Sequence, residues 1–311
     1  MSSPGSRPSL FARGSRPAMV SAYVNAPSGE VIRLWCTEQL DDWSTPHRQS
    51  TVTTSAGPTH VTALGDTRGP GPVVVVVPGT NMNTAASLPF LARLAIRHRV
   101  IALDMPGQPG LSAPQRPRRD RMAWYGQWLD EVLEQTVPDK AVLLGHSLGG
   151  AIALACSSPR VAGRVLVAPA GLVRLAVPPR LLAATLAWLG TPSRAGTARL
   201  LQLMSGPERT VAPHLVEWMT LVARYCRSTL APAPLAPELL GSCRSAPCVV
   251  ATGSHDIFLP PGRLESAVRD RLGTELHILP ECGHLALDDD PAGVVDLVDD
   301  LTGRLGHLPD R

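Results

Sequence analysis

Short, unbroken apolar runs recur along the chain with helical patterns between them. Pro72-Val73-Val74-Val75-Val76-Val77 is a continuous β-branched run, and Val100-Ile101-Ala102-Leu103 and Ala141-Val142-Leu143-Leu144 are shorter ones. Such runs fit strands buried on both faces of a parallel sheet. Arg164-Val165-Leu166-Val167-Ala168, Pro247-Cys248-Val249-Val250-Ala251 and Glu275-Leu276-His277-Ile278-Leu279 read as further strands. Helical patterns occupy 86–97, 120–135 (with Trp124, Trp128 and Leu129), 151–155, 262–271 and 291–305. Asp290 ahead of Pro291 is a good cap for the last of these. Upstream, Thr/Val-rich alternation at 49–54 and 59–64, separated by Gly57-Pro58, predicts a hairpin.

Between 172 and 242 the β/α alternation stops, and helical patterns rich in Leu, Ala and Trp are punctuated by prolines. The order predicts an α/β protein with a doubly wound, mostly parallel sheet. Residues 21–171 and 243–311 would form the core, 172–242 a helical cap over the sheet's carboxyl edge, and 1–20 a disordered tail. There are no internal repeats.

Composition bounds the picture without redirecting it. At 311 residues, 44% hydrophobic and 18% charged, the chain has the length for one large α/β domain plus an insertion. A net charge of +3 with scattered basic residues carries no nucleic-acid footprint. The apolar runs are too short to span a bilayer. Met1 to Arg16 is rich in Ser, Pro, Gly and Arg and lacks the apolar stretch of a secretory signal. Patterning begins after Met19, which makes Met19 a candidate start. A cytoplasmic monomer or homodimer is expected. The six cysteines (Cys36, Cys156, Cys226, Cys243, Cys248, Cys282) lack metal-ligand spacing, so reduced thiols are expected, with Cys282 in a packing role.

The chemistry concentrates at strand ends, where parallel sheets gather their ligands. The run at 141–144 enters Gly145-His146-Ser147-Leu148-Gly149-Gly150, and a small-residue helical pattern follows. A Gly-x-Ser-x-Gly turn between strand and helix holds its serine in a strained conformation at the sheet edge, beside the N–H groups that open the helix. Asp256 follows the strand at 248–252, and His284 follows the strand at 275–279. The order Ser, Asp, His on successive strand-end loops proposes nucleophile, acid and base. His146 adjoins the serine, but its side chain should point away across the turn, so it is not assigned as the base. Asp288, Asp289 and Asp290 follow the histidine and are better explained by the cap of the last helix. Pro78-Gly79-Thr80-Asn81 ends the strand at 73–77, and the backbone N–H groups of Thr80 and Leu148 are the expected oxyanion donors. Gly79, Asn81, His146, Trp188 and Trp218 are candidate substrate contacts, although apolar residues of the cap, such as Leu201, Met204, Leu215 and Met219, are expected mainly to pack.

These segments, together with Asp104-Met105-Pro106-Gly107-Gln108-Pro109-Gly110-Leu111-Ser112 and Pro169-Ala170-Gly171, make the chain resemble the α/β-hydrolase superfamily over roughly 50–305. The closest branch is the capped esterase and lipase-like one. The resemblance implies an eight-stranded sheet, no metal or organic cofactor, and acyl transfer from a small, partly apolar ester-like substrate to water. It leaves open a carbon–carbon bond hydrolase, a thioesterase or acyltransferase, and a non-catalytic ligand receptor. Two positions depart from the family pattern. Pro78 stands where the family usually has His before Gly, and Gln108-Pro109 replaces the His of D-x-P-G-H-G-x-S and shifts the glycine to Gly110.

Overall fold

The computed structural model of the protein describes residues 18–65, 71–227, 231–240 and 246–306. Its strands are β1 (Met19–Ser21), β2 (His47–Thr54), β3 (Gly57–Leu64), β4 (Val73–Val77), β5 (Val100–Leu103), β6 (Gln115–Pro117), β7 (Ala141–His146), β8 (Val161–Val167), β9 (Cys248–Gly253) and β10 (Leu276–Leu279). Its helices are α1 (Ala26–Asp41), α2 (Leu88–Ala95), α3 (Arg121–Thr136), α4 (Leu148–Ala155), α5 (Pro179–Gly190), α6 (Arg194–Met204), α7 (Pro213–Tyr225), α8 (Pro261–Leu272), α9 (Ala286–Asp289) and α10 (Pro291–Gly306).

Eight strands form one sheet in the order β10-β9-β8-β7-β4-β5-β3-β2. The strands from β10 to β5 pair in parallel, and β3 runs antiparallel to both β5 and β2. The valine run of β4 shows why the centre is apolar throughout. Val73, Val75 and Val77 face one core with Trp128 and Leu129 of α3 and Ile152 of α4. Val74 and Val76 face the other with Phe90 and Leu91 of α2 and Val294 and Val298 of α10. Successive strand residues point to opposite faces, so a strand covered by helices on both sides has no position left for a polar residue. The pairing of Val73 with Ala141 through Val77 with Gly145 brings the carboxyl ends of β4 and β7 side by side.

The hairpin turn falls earlier than the sequence suggests. Thr54 pairs with Gly57, so Ser55 and Ala56 make the turn and Pro58 belongs to β3. Gly57 takes the positive φ of 102° that closes the turn, and proline is tolerated at a strand's start.

Of the expected tail, residues 1–17 lie outside the described residues, and Met19–Ser21 is a strand. It pairs antiparallel with β6, whose backbone supplies partners that local sequence does not reveal. Helix α1 was not anticipated. Asn25 caps it by accepting the Ser28 N–H at 2.9 Å, and Pro27 sits in its first turn. It buries Ile32, Trp35, Cys36 and Leu40 in one cluster with Leu181, Trp188, Leu201, Leu215 and Trp218 of the cap helices α5, α6 and α7. The Trp35 ring stacks on Trp218 at 4.8 Å, and its indole N–H donates to Glu217 at 2.9 Å. The expected boundary between cap and core at 242–243, with Cys243, lies outside the described residues. No helix among the described residues is long and apolar enough to cross a membrane.

Candidate active site

Ser147 stands between β7 and α4 with φ at +50°, a region that non-glycine residues rarely adopt. The backbone bends there because neighbouring strands leave it no other course. A Cβ on Gly149 would lie 1.9 Å from the Val77 carbonyl oxygen, so only glycine lets the first turn of α4 pass that close to the end of β4. The Ser147 carbonyl accepts from the Gly150 and Ala170 N–H groups, each at 3.0 Å, which fixes the turn from both sides.

The structure brings Ser147, His284 and Asp256 into one hydrogen-bonded chain. His284 Nε2 lies 3.0 Å from Ser147 Oγ, and His284 Nδ1 lies 2.9 Å from Asp256 Oδ2. All three side chains are buried. Asp256 Oδ1 accepts from the N–H groups of Phe258 and Leu259 at 2.8 and 2.9 Å, and Oδ2 accepts from the Thr252 hydroxyl at 3.1 Å. Burial alone would push this carboxyl up. The charge and hydrogen bond of His284, with the two backbone donors, outweigh it and hold Asp256 below the ordinary carboxylate range. When the His284 ring is neutral, an ionised Asp256 favours its proton on Nδ1, which leaves Nε2 as the acceptor that faces Ser147.

The loop carrying His284 is tied to the end of α6 and the residues after it. The Met204 carbonyl accepts the His284 and Leu285 N–H groups at 2.6 and 3.2 Å. Asp289 Oδ2 accepts the N–H groups of Gly206 and Gly283 at 2.8 and 2.7 Å. Of the three consecutive aspartates, Asp290 accepts the Gly293 N–H and caps α10, whereas Asp289 braces the residue before His284. This role is not legible in the sequence, because one of its two partners, the Gly206 N–H, is 83 residues away. The Phe258 ring meets the His284 ring edge-on at 4.8 Å.

His146 points away from Ser147 Oγ. Its Nε2 contacts the His284 carbonyl oxygen at 2.8 Å. Burial first, then the nearby His284, lowers its pKa to about 4, so the ring is neutral. A Cβ on Gly79 would lie 2.8 Å from His146 Nδ1 and 3.5 Å from Ser147 Cβ, which puts the strand-end loop against the serine. Among the described residues, the Thr80 and Leu148 N–H groups have no hydrogen-bond partner. Asn81, at φ +63°, donates its N–H to Gln108 Oε1 at 3.1 Å. The Asn81 carbonyl accepts the Trp218 indole N–H at 2.7 Å, so Trp218 reaches the site through the backbone. Trp188 is not brought to the triad. It is buried within the cap, and its indole N–H donates to the Met219 carbonyl at 3.2 Å. Cys282 is buried, its thiol pushed up to about 11 by burial and then by Asp290 and Asp289, so it stays protonated. No cluster of metal-ligating side chains occurs among the described residues.

A cavity of about 540 Å³ opens beside Phe90, Arg93, His214 and Leu285. It touches the residue after His284 but not Ser147.

The sheet order and the strained strand-to-helix turn at Ser147 define an α/β fold class. A family model described as the alpha/beta hydrolase family matches residues 74–297, and the chain belongs to that family. An uncharacterized protein of Mycobacterium tuberculosis is 24% identical over 266 residues, which is 74% of this chain and 75% of that protein. The crystal structure of naproxen esterase (carboxylesterase NP) from Bacillus subtilis superposes with a TM-score of 0.72 at 20% identity, covering 89% of this chain and 98% of the other. A pimeloyl-[acyl-carrier protein] methyl ester esterase of Aeromonas hydrophila is 36% identical over 93 residues, 29% of this chain and 35% of that enzyme.

Proposed function

We propose that the protein is a serine esterase that cleaves the ester bond of a small, partly apolar substrate through an acyl-enzyme. The observation that carries this reading is the chain Ser147 Oγ–His284 Nε2–Asp256 Oδ2, at 3.0 and 2.9 Å, on a strained strand-to-helix turn. His284 takes the Ser147 proton as Oγ attacks the ester carbonyl, and Asp256 stabilises the imidazolium that results. The free N–H groups of Thr80 and Leu148 are the donors for the oxyanion. Each such donor contributes about 3 kcal/mol to transition-state stabilisation. His284 returns its proton to the leaving alcohol and then activates the water that releases the acid. Asn81 and Gly79 flank the reacting carbonyl, while Trp218 and His146 hold the backbone around it. The names of two similar proteins, a carboxylesterase and a methyl ester esterase, support ester cleavage over the alternatives.

Turnover of p-nitrophenyl acetate and butyrate tests this reading. The wild type is expected to hydrolyse both, and Ser147→Ala to fall to background. Hydrolysis that survives Ser147→Ala, or none in the wild type, would contradict it.

A further inference from the structure

We infer that Gln108 is a positioning residue for the oxyanion hole, acting through the backbone of Asn81. The inference rests on the serine-esterase reading and concerns a position where the chain departs from its family. Two loops meet at the sheet edge, one after β4 and one after β5. Three hydrogen bonds join them. Thr84 N–H donates to Asp104 Oδ1 at 2.9 Å, Asn83 Nδ2 donates to the Pro109 carbonyl at 3.2 Å, and Asn81 N–H donates to Gln108 Oε1 at 3.1 Å. Only the last falls on the residue next to Thr80.

The orientation of the Gln108 amide follows from its partners. A backbone N–H can only donate, so the oxygen faces Asn81. The Tyr125 hydroxyl donates to the Pro106 carbonyl at 2.9 Å and so can only accept from Gln108 Nε2, which lies 3.5 Å away. Gln108 is 1% exposed, so no water competes for its oxygen. Asn81 sits at φ +63°, a conformation that costs energy outside glycine and persists only where surroundings impose it. Here they do so from two sides: Gln108 holds the N–H from the core, and Trp218 holds the carbonyl from the cap at 2.7 Å. With both ends of Asn81 fixed, the turn in which the Met82 N–H donates to the Gly79 carbonyl at 3.1 Å is held in shape, and that carbonyl belongs to the same peptide as the unpartnered Thr80 N–H, the proposed oxyanion donor. The Asn81 N–H, already paired, is excluded as an oxyanion donor.

The test compares p-nitrophenyl butyrate with its thionoester, in which sulfur replaces the carbonyl oxygen and accepts hydrogen bonds poorly. The wild type, Gln108→Met, Gln108→Glu and Trp218→Phe are measured, with Ser147→Ala as the control. Gln108→Met keeps the length and removes the acceptor. It is expected to lower kcat on the oxygen ester roughly 10- to 100-fold with little change in KM, and to lower the oxygen-to-sulfur rate ratio about as much, because a donor displaced by an ångström loses much of its effect. Gln108→Glu keeps an acceptor and is expected to retain most of the ratio. Trp218→Phe removes the other anchor and is expected to lower the ratio in the same direction, which serves if the Gln108 variants do not fold. Equal losses on both esters, with the ratio unchanged in Gln108→Met and Trp218→Phe, would assign Gln108 a purely structural role and overturn the inference while leaving the esterase reading intact. Wild-type hydrolysis that does not depend on Ser147 would overturn both.

Discussion

His146 and His284 are 5.2 Å apart ring to ring, yet their environments give them opposite tasks. His284 has a carboxylate on one nitrogen and a hydroxyl on the other. His146 has only a backbone carbonyl at Nε2 and is fully enclosed, with its pKa lowered to about 4. The sign of its effect on stability follows directly. The unfolded chain binds a proton on this ring below about pH 6.5, whereas the folded protein refuses it down to about pH 4. Stability is therefore complete above pH 6.5 and is lost as pH falls through that window. By pH 5 the loss is about 2 kcal/mol from this group. Asp256 adds a loss in the same direction, but only below the ordinary carboxylate range. Denaturant unfolding at pH 7 and pH 5 should show His146→Asn losing about 2 kcal/mol less than the wild type. Equal losses would show that His146 titrates normally.

Elements differed in how openly the sequence declared them. The strands β4, β5, β7 and β9 were legible because burial on both faces removes every polar residue from a run. The residues that follow them were legible because such sheets place chemistry at that edge. The proposed roles of Ser147, Asp256 and the Gly79-Thr80 loop were read from that placement, and His284 from its place after β10, a half-exposed edge strand. Helix α1 was missed because its buried face of Ile32, Trp35, Cys36 and Leu40 is blurred in the sequence by Val31 and Leu34, which are apolar but exposed; the Asn25 cap and Pro27 were the available signal. What it packs against, Trp218 of the cap, is 183 residues away in sequence and invisible to local pattern. The bonds of Asp289 and Gln108 to distant backbone were hidden for the same reason. Helix α1 gives its own prediction. Trp35→Ala removes the stack on Trp218 and the bond to Glu217, and should cost about 3 kcal/mol or more and lower Tm by roughly 5 °C. A thermal melt unchanged from the wild type would show that α1 does not hold the cap.

At the scale of the whole molecule, the sheet and the helices α5 to α7 both border the candidate site. The sheet places Ser147, Asp256 and His284 at the ends of three parallel strands. The segment from α6 to α7 is tied to the loops around them by hydrogen bonds of Met204 to His284 and Leu285, of Gly206 to Asp289, and of Trp218 to Asn81. With Ser147 only 7% exposed, the proposed nucleophile sits in a water-poor enclosure, where the proposed proton transfer to His284 and the two proposed N–H donors would act with little solvent screening. Activation of this one serine is the central claim, and a fluorophosphonate tests it without presuming the natural substrate. Intact-mass measurement after treatment should show one adduct per chain, mapped by peptide digestion to Ser147 and missing in Ser147→Ala; an unlabelled wild type, or an adduct on another residue, would contradict the account.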